Sequence, residues 1–451
     1  MAVEKTAVVA PWVIPVRPEG VTLRDQAVVF QGGTILDLLP AEQLPATHPD
    51  AEIERFPQHA LIPGLVNAHT HAAMSLFRGI ADDLPLMAWL EGHIWPLERR
   101  WLAENFVRDG VELAMAEMIR GGITCFNDMY FFPEVACQAA VRAGMRAGIG
   151  LIVMDHPSSW AQGPDEYLAK GLALHDDYHH HPTTHFTLAP HAPYTVSDAP
   201  LARVRTLAEE LDLPIHMHVH ETRDEISQSL AQFGERPLQR LARLGLLGPR
   251  LMAVHMTQLE AFEIEQLAEY GVNVIHCPES NLKLSSGFCP ITRLIDAGAS
   301  IALGTDGAAS NNDLDLFGEM RTAALLAKGL SGRADALPAA SALTMATQGG
   351  ARALGLEERI GSLEAGKAAD FVAIRLDTLE TQPLYEPLSQ LVYSAGRQQV
   401  TDVWVEGKRL LKNRQLCTLD ERGLLDRVSR WSSRLSHSRT EVFPPLAVKE
   451  K

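Results

Sequence analysis

An alternation of β-like and helix-like stretches, repeated about eight times between residues 61 and 364, constrains this chain more than any other feature of it. Short apolar runs at 61–68, 123–128, 147–154, 185–190, 215–219, 252–255, 272–277 and 301–305 have the length and bounding residues of strands. Amphipathic runs such as 107–118, 199–211, 237–244, 260–269 and 314–328 supply helices between them. Strands that alternate with helices pair in parallel, because the helix carries the chain back to the same edge, and eight such units close into a ring. The expected class is α/β, a (β/α)8 barrel.

Both ends of the chain read differently. Residues 6–60 alternate apolar runs with Pro and Gly, and a matching set returns at 370–374 and 401–405, with Glu406-Gly407 as a turn. These predict a small β-sandwich domain built from both ends, 1–60 and 365–418, around a barrel spanning 61–364. Residues 419–451 are expected to form a C-terminal helix and tail, with the cationic, apolar stretch 424–435 packed on the body.

Composition narrows the partners. A formal net charge of −16 argues against nucleic acid, whose phosphates need clustered Lys and Arg. No basic n-region precedes an apolar run, and no stretch of roughly 18 apolar residues occurs, so neither a membrane span nor an export signal is expected. The reading is cytoplasmic. Cys125, Cys137, Cys277, Cys289 and Cys417 form no C-x-x-C pair, which leaves them reduced and mostly buried.

In such a barrel the reactive groups sit at the C-terminal ends of the strands. Strand one runs Leu61-Ile62-Pro63-Gly64-Leu65-Val66-Asn67-Ala68-His69-Thr70-His71. Residues i and i+2 of a strand share a face, so His69 and His71 aim two imidazoles at one point. Strand five ends in His218-Val219-His220-Glu221, strand six in Val254-His255-Met256, and strand eight in Gly304-Thr305-Asp306-Gly307. A lone pair among 18 histidines is weak evidence, but four strand ends converging on one mouth are not. His69, His71, His218 and Asp306 make a ligand set for Zn2+ that leaves a position for water. Fe2+ would accept the same ligand types; zinc is the expected ion. His179-His180-His181, beside Asp176-Asp177-Tyr178, reads as an exposed connection, and His216 and His220 as histidines that crowd the strand or hydrogen-bond.

These motifs resemble the amidohydrolase superfamily, and within it the aminohydrolase and chlorohydrolase branch that contains 5′-methylthioadenosine/S-adenosylhomocysteine deaminases. The resemblance runs nearly end to end. It covers the Pro63 to His71 stretch, Leu84-Pro85-Leu86-Met87-Ala88-Trp89-Leu90, Ala189-Pro190-His191-Ala192-Pro193-Tyr194, His218 to Glu221, His276-Cys277-Pro278-Glu279-Ser280-Asn281, and Gly304 to Gly307. Two-metal members carry a bridging lysine at the end of strand four. Here that strand reads His185-Phe186-Thr187-Leu188-Ala189-Pro190-His191, so one metal is implied.

The resemblance implies hydrolytic deamination of an adenosine-type nucleoside. Zn2+ lowers the pKa of water to about 7, and Asp306 takes the proton as the oxygen attacks the purine carbon bearing the amine. Glu221 protonates the adjacent ring nitrogen, His255 stabilises the attacking oxygen, and Asp306 hands its proton to the departing ammonia. By position Glu98 matches the family glutamate that binds the ribose hydroxyls, and His191 the histidine that contacts the purine. Glu98 beside Arg99 and Arg100 also reads as a surface ion pair.

One departure bears on the substrate. Relatives that accept S-adenosylhomocysteine look to an arginine after strand three, yet none lies between Arg146 and Arg203, and the loop reads Met154-Asp155-His156-Pro157-Ser158-Ser159-Trp160. A methylthio group against Trp89 or Met87 suits such a pocket better than a charged tail. The expected order is methylthioadenosine, adenosine, then S-adenosylhomocysteine, acted on by a homo-oligomer, a dimer or larger. The alternatives are an aminohydrolase of the same branch acting on guanine, a pyrimidine or an s-triazine, and a non-catalytic barrel with an assembly role. The latter has no need of the whole set of site residues. The H-x-E and P-C-x-x-C elements of the zinc cytidine deaminases are absent.

Overall fold

The computed structural model describes residues 4–442, so the end of the expected tail, 443–451, lies outside the described residues. Eight parallel strands follow one another around the barrel: Leu65–Thr70, Ile123–Asp128, Arg146–Val153, Thr184–Pro190, Ile215–Val219, Leu251–His255, Asn273–His276 and Ser300–Leu303. They are barrel strands one to eight below. Seven of the eight fall on the stretches expected from periodicity, within two residues at either end.

The first does not. The apolar run from 61 to 68 is divided between two sheets, and the chain changes direction at Gly64. His59–Pro63 pairs with Phe371–Arg375 antiparallel and with Lys5–Val13 in parallel, in the sheet made by the chain ends. A Cβ on Gly64 would lie 1.9 Å from Thr124 Oγ1 and 2.6 Å from Thr124 Cβ, so glycine is what leaves room for the Thr124 side chain at this turn. Leu65–Thr70 then enters the barrel.

The seam between strands eight and one is closed partly by side chains. Asn67 Oδ1 accepts from the Thr305 N–H at 3.0 Å and its Nδ2 donates to Thr305 Oγ1 at 2.8 Å. The Asp306 N–H donates to the His69 carbonyl at 3.1 Å. A Cβ on Gly304 would come within 2.8 Å of His69 Cβ, which makes glycine obligatory where these two strands touch. Two of the expected ligands are thereby fixed to each other through the backbone.

Among the described residues, the β-rich piece from both chain ends is one continuous mixed sheet of nine strands. Val8, Phe30, Phe371 and Trp404 fill one of its cores, the last two rings stacked at 4.4 Å. Arg146, at the start of barrel strand three, joins this sheet to the barrel. It is fully buried and donates from Nε to Asp370 Oδ2 at 2.8 Å. The C-terminal helix, Glu421–Val442, packs on Glu104–Arg120: Trp431 sets its ring edge-on to Phe106 and donates from Nε1 to Asp109 Oδ2 at 2.9 Å. Among the described residues no helix is long and apolar enough to cross a membrane.

Candidate metal centre and cavity

The four expected ligands meet at the C-terminal mouth of the barrel. One side-chain atom each from His69, His71, His218 and Asp306 lies within 4.8 Å of all the others. Nε2 of His69 and of His71 stand 3.2 and 3.3 Å from Asp306 Oδ1. The opposite ring nitrogens are already engaged. His71 Nδ1 donates to the Met129 carbonyl at 2.6 Å, and His218 Nδ1 to the His191 carbonyl at 2.8 Å. A carbonyl only accepts, so the proton sits on Nδ1 and a neutral ring keeps its Nε2 lone pair for a cation. His69 Nδ1 meets His216 Nε2 at 2.7 Å, and His216 Nδ1 meets Asn127 Nδ2 at 3.0 Å.

Burial opposes charge on every member of this cluster, and specific contacts decide which groups resist it. Burial lowers His69 to about 4 and His218 well below the usual imidazole range. It also acts against a proton on His71, but hydrogen bonding to Asp306 prevails and raises that ring to about 9. Burial would raise Asp306, yet hydrogen bonds from His69 and His71 hold it well below the usual carboxylate range. Its other oxygen, Oδ2, accepts from Ser280 Oγ at 2.6 Å and Ser310 Oγ at 2.7 Å. An ionised carboxylate facing three imidazoles is a donor set that fits a divalent cation, which would take the place of the second proton that His71 holds against Asp306.

A cavity of ≈ 670 Å3 opens on the cluster and brings in the remaining expected site residues, Glu98, His191, Glu221 and His255. Glu221 Oε2 lies 3.8 Å from His255 Nε2, and Ser286 Oγ donates to Glu221 Oε1 at 3.4 Å. Burial raises the Glu221 pKa, which favours a carboxyl able to donate. His255 Nδ1 meets Asn281 Oδ1 at 2.8 Å; an amide oxygen only accepts, so this nitrogen carries the proton. Burial pushes His191 down to about 3, leaving it neutral, with Nδ1 3.0 Å from Thr195 Oγ1. Glu98 turns into the cavity, where Tyr130 Oη donates to its Oε1 at 2.7 Å and burial raises its pKa to about 7.

Backbone conformation marks the same places. His220, His255 and Asp306 have φ of 55, 76 and 59°, the left-handed region that costs a side-chain-bearing residue energy and recurs at functional sites. Each lies at or just past the end of a barrel strand, where the chain must leave the sheet and still present a side chain inward.

Not every expectation lands in the cavity. Trp89 lines it, with its Nε1–H buried and without a hydrogen-bond partner among the described residues, but Met87 faces a neighbouring groove. His179 and His180 form a ring pair 3.6 Å apart on the exposed turn after the helix Pro164–Tyr178, outside the cavity. His220 accepts from the Leu238 N–H at 3.1 Å and belongs to the packing behind strand five. Conversely, Tyr130, Ser280, Asn281, Ser310 and Glu225 were not foreseen as partners of the site. Ser280 and Asn281 lie inside the His276 to Asn281 motif and were within reach of the sequence; the others carry no pattern of their own.

Residues 60–410 match the amidohydrolase family. A 5-methylthioadenosine/S-adenosylhomocysteine deaminase of Saccharophagus degradans is 51% identical over 95% of this chain and 96% of its own length. That of Teredinibacter turnerae is 49% identical over 95% and 97%. The crystal structure of an adenosine deaminase from Xanthomonas campestris with bound zinc superposes with a TM-score of 0.93 at 51% identity, covering 96% of this chain and 98% of that one. An atrazine chlorohydrolase from Arthrobacter aurescens, 23% identical with a TM-score of 0.88 over 94% and 99% of the two chains, shares the fold.

Proposed function

The chain belongs to the amidohydrolase family, and from that premise we propose that it is a zinc-dependent deaminase of adenosine-type nucleosides. It converts 5′-methylthioadenosine to the inosine-type nucleoside and ammonia, accepts adenosine next, and S-adenosylhomocysteine more weakly. The observation that carries this reading is one cavity holding an ionised aspartate against three convergent imidazoles, with two separate carboxyls of raised pKa, Glu98 and Glu221, on its walls. The names and 49–51% identity of the relatives support the substrate class.

His69, His71 and His218 through Nε2, with Asp306 through Oδ1, would hold one Zn2+ ion. Bound there, zinc supplies a water acidified to a pKa of about 7. Everything else falls to the chain. Asp306, its Oδ2 fixed by Ser280 and Ser310, takes the proton of the water that adds to the carbon bearing the amine. Glu221 delivers its proton to the adjacent ring nitrogen, so negative charge does not build up on the ring. His255, oriented by Asn281, steadies the incoming oxygen. Asp306 then protonates the amine, which leaves as ammonia, and the new hydroxyl returns a proton to Glu221 as the carbonyl forms.

Glu98 accepts from the ribose hydroxyls, and His191 contacts the purine. The protein acts on this small molecule in the cytoplasm as a homo-oligomer. Ammonia release from methylthioadenosine, adenosine, S-adenosylhomocysteine, adenine and guanine, side by side, tests the reading. Nucleosides should be turned over and free bases poorly; turnover of free bases alone would point to a different aminohydrolase.

A further inference from the structure

The cavity changes character from floor to rim. Its floor is the buried cluster around Asp306; side chains such as Trp89, Leu102, Ile152 and Met154 wall its middle. Its rim is polar and exposed, made by Arg99, His156, Ser159 and Gln162. Arg99 is the only Lys or Arg among the described residues that line the cavity, and its guanidinium has no hydrogen-bond partner among them. It follows Glu98 directly on the helix Trp95–Trp101. Ser159 Oγ donates to the Leu102 carbonyl at 3.1 Å, which ties the 154–162 loop to the end of that helix and keeps the two rim segments together.

These positions set an order along the substrate. With the purine at the floor and the ribose at Glu98, the 5′ carbon leaves the sugar on the side away from the reacting carbon and its substituent runs toward the rim. The arginine sought after barrel strand three is absent, but a cation reaches the same cavity from the segment before strand two. We propose that Arg99 receives a carboxylate carried on the 5′ substituent of the nucleoside, and so sets how well a charged thioether tail competes with an uncharged one. This rests on the deaminase reading above. Guanidinium suits the task because it offers paired donors to a carboxylate and stays charged. The exposed rim keeps the contact modest, which agrees with a tail tolerated rather than required.

The test compares three 5′-thioethers of adenosine: methylthioadenosine, S-adenosylhomocysteine, and 5′-butylthioadenosine, which has a tail without charge. Their kcat/KM values are measured with the zinc-loaded wild type, Arg99→Met and Arg99→Lys. The ratio of S-adenosylhomocysteine to butylthioadenosine should fall about tenfold in Arg99→Met and recover in part in Arg99→Lys. Calorimetric binding of S-adenosylhomocysteine on the Glu221→Gln background should show the same loss. An unchanged ratio in Arg99→Met overturns the assignment. A wild type that deaminates none of the three overturns the deaminase reading itself, and this assignment with it.

Discussion

Glu225 grips the backbone of Glu221: its Oε2 accepts from the Glu221 N–H at 2.7 Å, while its Oε1 accepts from the His220 N–H at 3.0 Å. His220 is in the left-handed region, so this carboxyl group, whose pKa burial raises to about 8, holds a turn that the chain would not adopt for its own sake. The helix Arg223–Phe233 that carries Glu225 begins at Thr222, whose hydroxyl accepts from the Glu225 N–H. A local capping interaction thus fixes the direction of the proposed proton donor.

Replacing Glu225 by Gln puts an amide donor against one of those two backbone donors, a mismatch of about 1–3 kcal/mol in a buried setting. The expected result is a fall of about tenfold or more in kcat, with zinc content unchanged and KM moved less. Steady-state kinetics alongside metal analysis check it; an unchanged kcat would show that the turn holds without the clamp.

Glu221→Gln keeps the size of the side chain and removes the transferable proton. Turnover should drop by about two to four orders of magnitude while zinc stays bound. Near-normal kcat would remove Glu221 from the proton-donor role.

The pH dependence of binding is a separate matter. Burial raises Glu98 to about 7 from its ordinary 4.5, against the lowering effect of the Tyr130 hydrogen bond. Below about 7 the free protein therefore carries this carboxyl protonated, and it loses acceptor capacity for two ribose hydroxyls. KM for methylthioadenosine should rise as pH falls from about 8 to about 6, and the rise should vanish in Glu98→Gln; a flat KM in the wild type would contradict the ribose contact. The same shift has a stability side: a raised carboxyl favours the fold fully below pH 4.5, and that contribution is lost as pH climbs through about 7.

Trp431 tests the C-terminal helix. Its ring is buried against Phe106 and its Nε1 serves Asp109, so Trp431→Ala should cost about 3–5 kcal/mol in urea unfolding without altering the metal site. A loss under about 1 kcal/mol would mean that the helix is dispensable to the fold.

How much of this was legible in the sequence follows from geometry. His69 and His71 are two apart on a strand, and Asp306 follows a strand end, so period and position alone placed them together. The break at Gly64 was signalled only by the Pro63-Gly64 dipeptide, a turn marker that apolar residues on both sides disguise as the middle of one strand, and residues 60–70 are all buried, so no alternation shows where one sheet ends and the next begins. Met87 and Trp89 read as equivalent neighbours of the substrate. On the helix Leu86–Trp89, residues two apart face away from each other, and only Trp89 reaches the cavity. Tyr130, Ser310 and Glu225 act by arriving from loops and helix starts beside residues far away in the chain or across a turn, which no local pattern announces.

The most direct measurement follows conversion of 5′-methylthioadenosine to its inosine-type product by the purified protein, with metal content determined on the same samples before chelation, after chelation and after zinc is returned. The account predicts turnover with about one zinc per chain, its loss on chelation, and its return with one equivalent of zinc. Full turnover by the metal-free protein, or none by the zinc-loaded protein on any adenosine-type nucleoside, would contradict it.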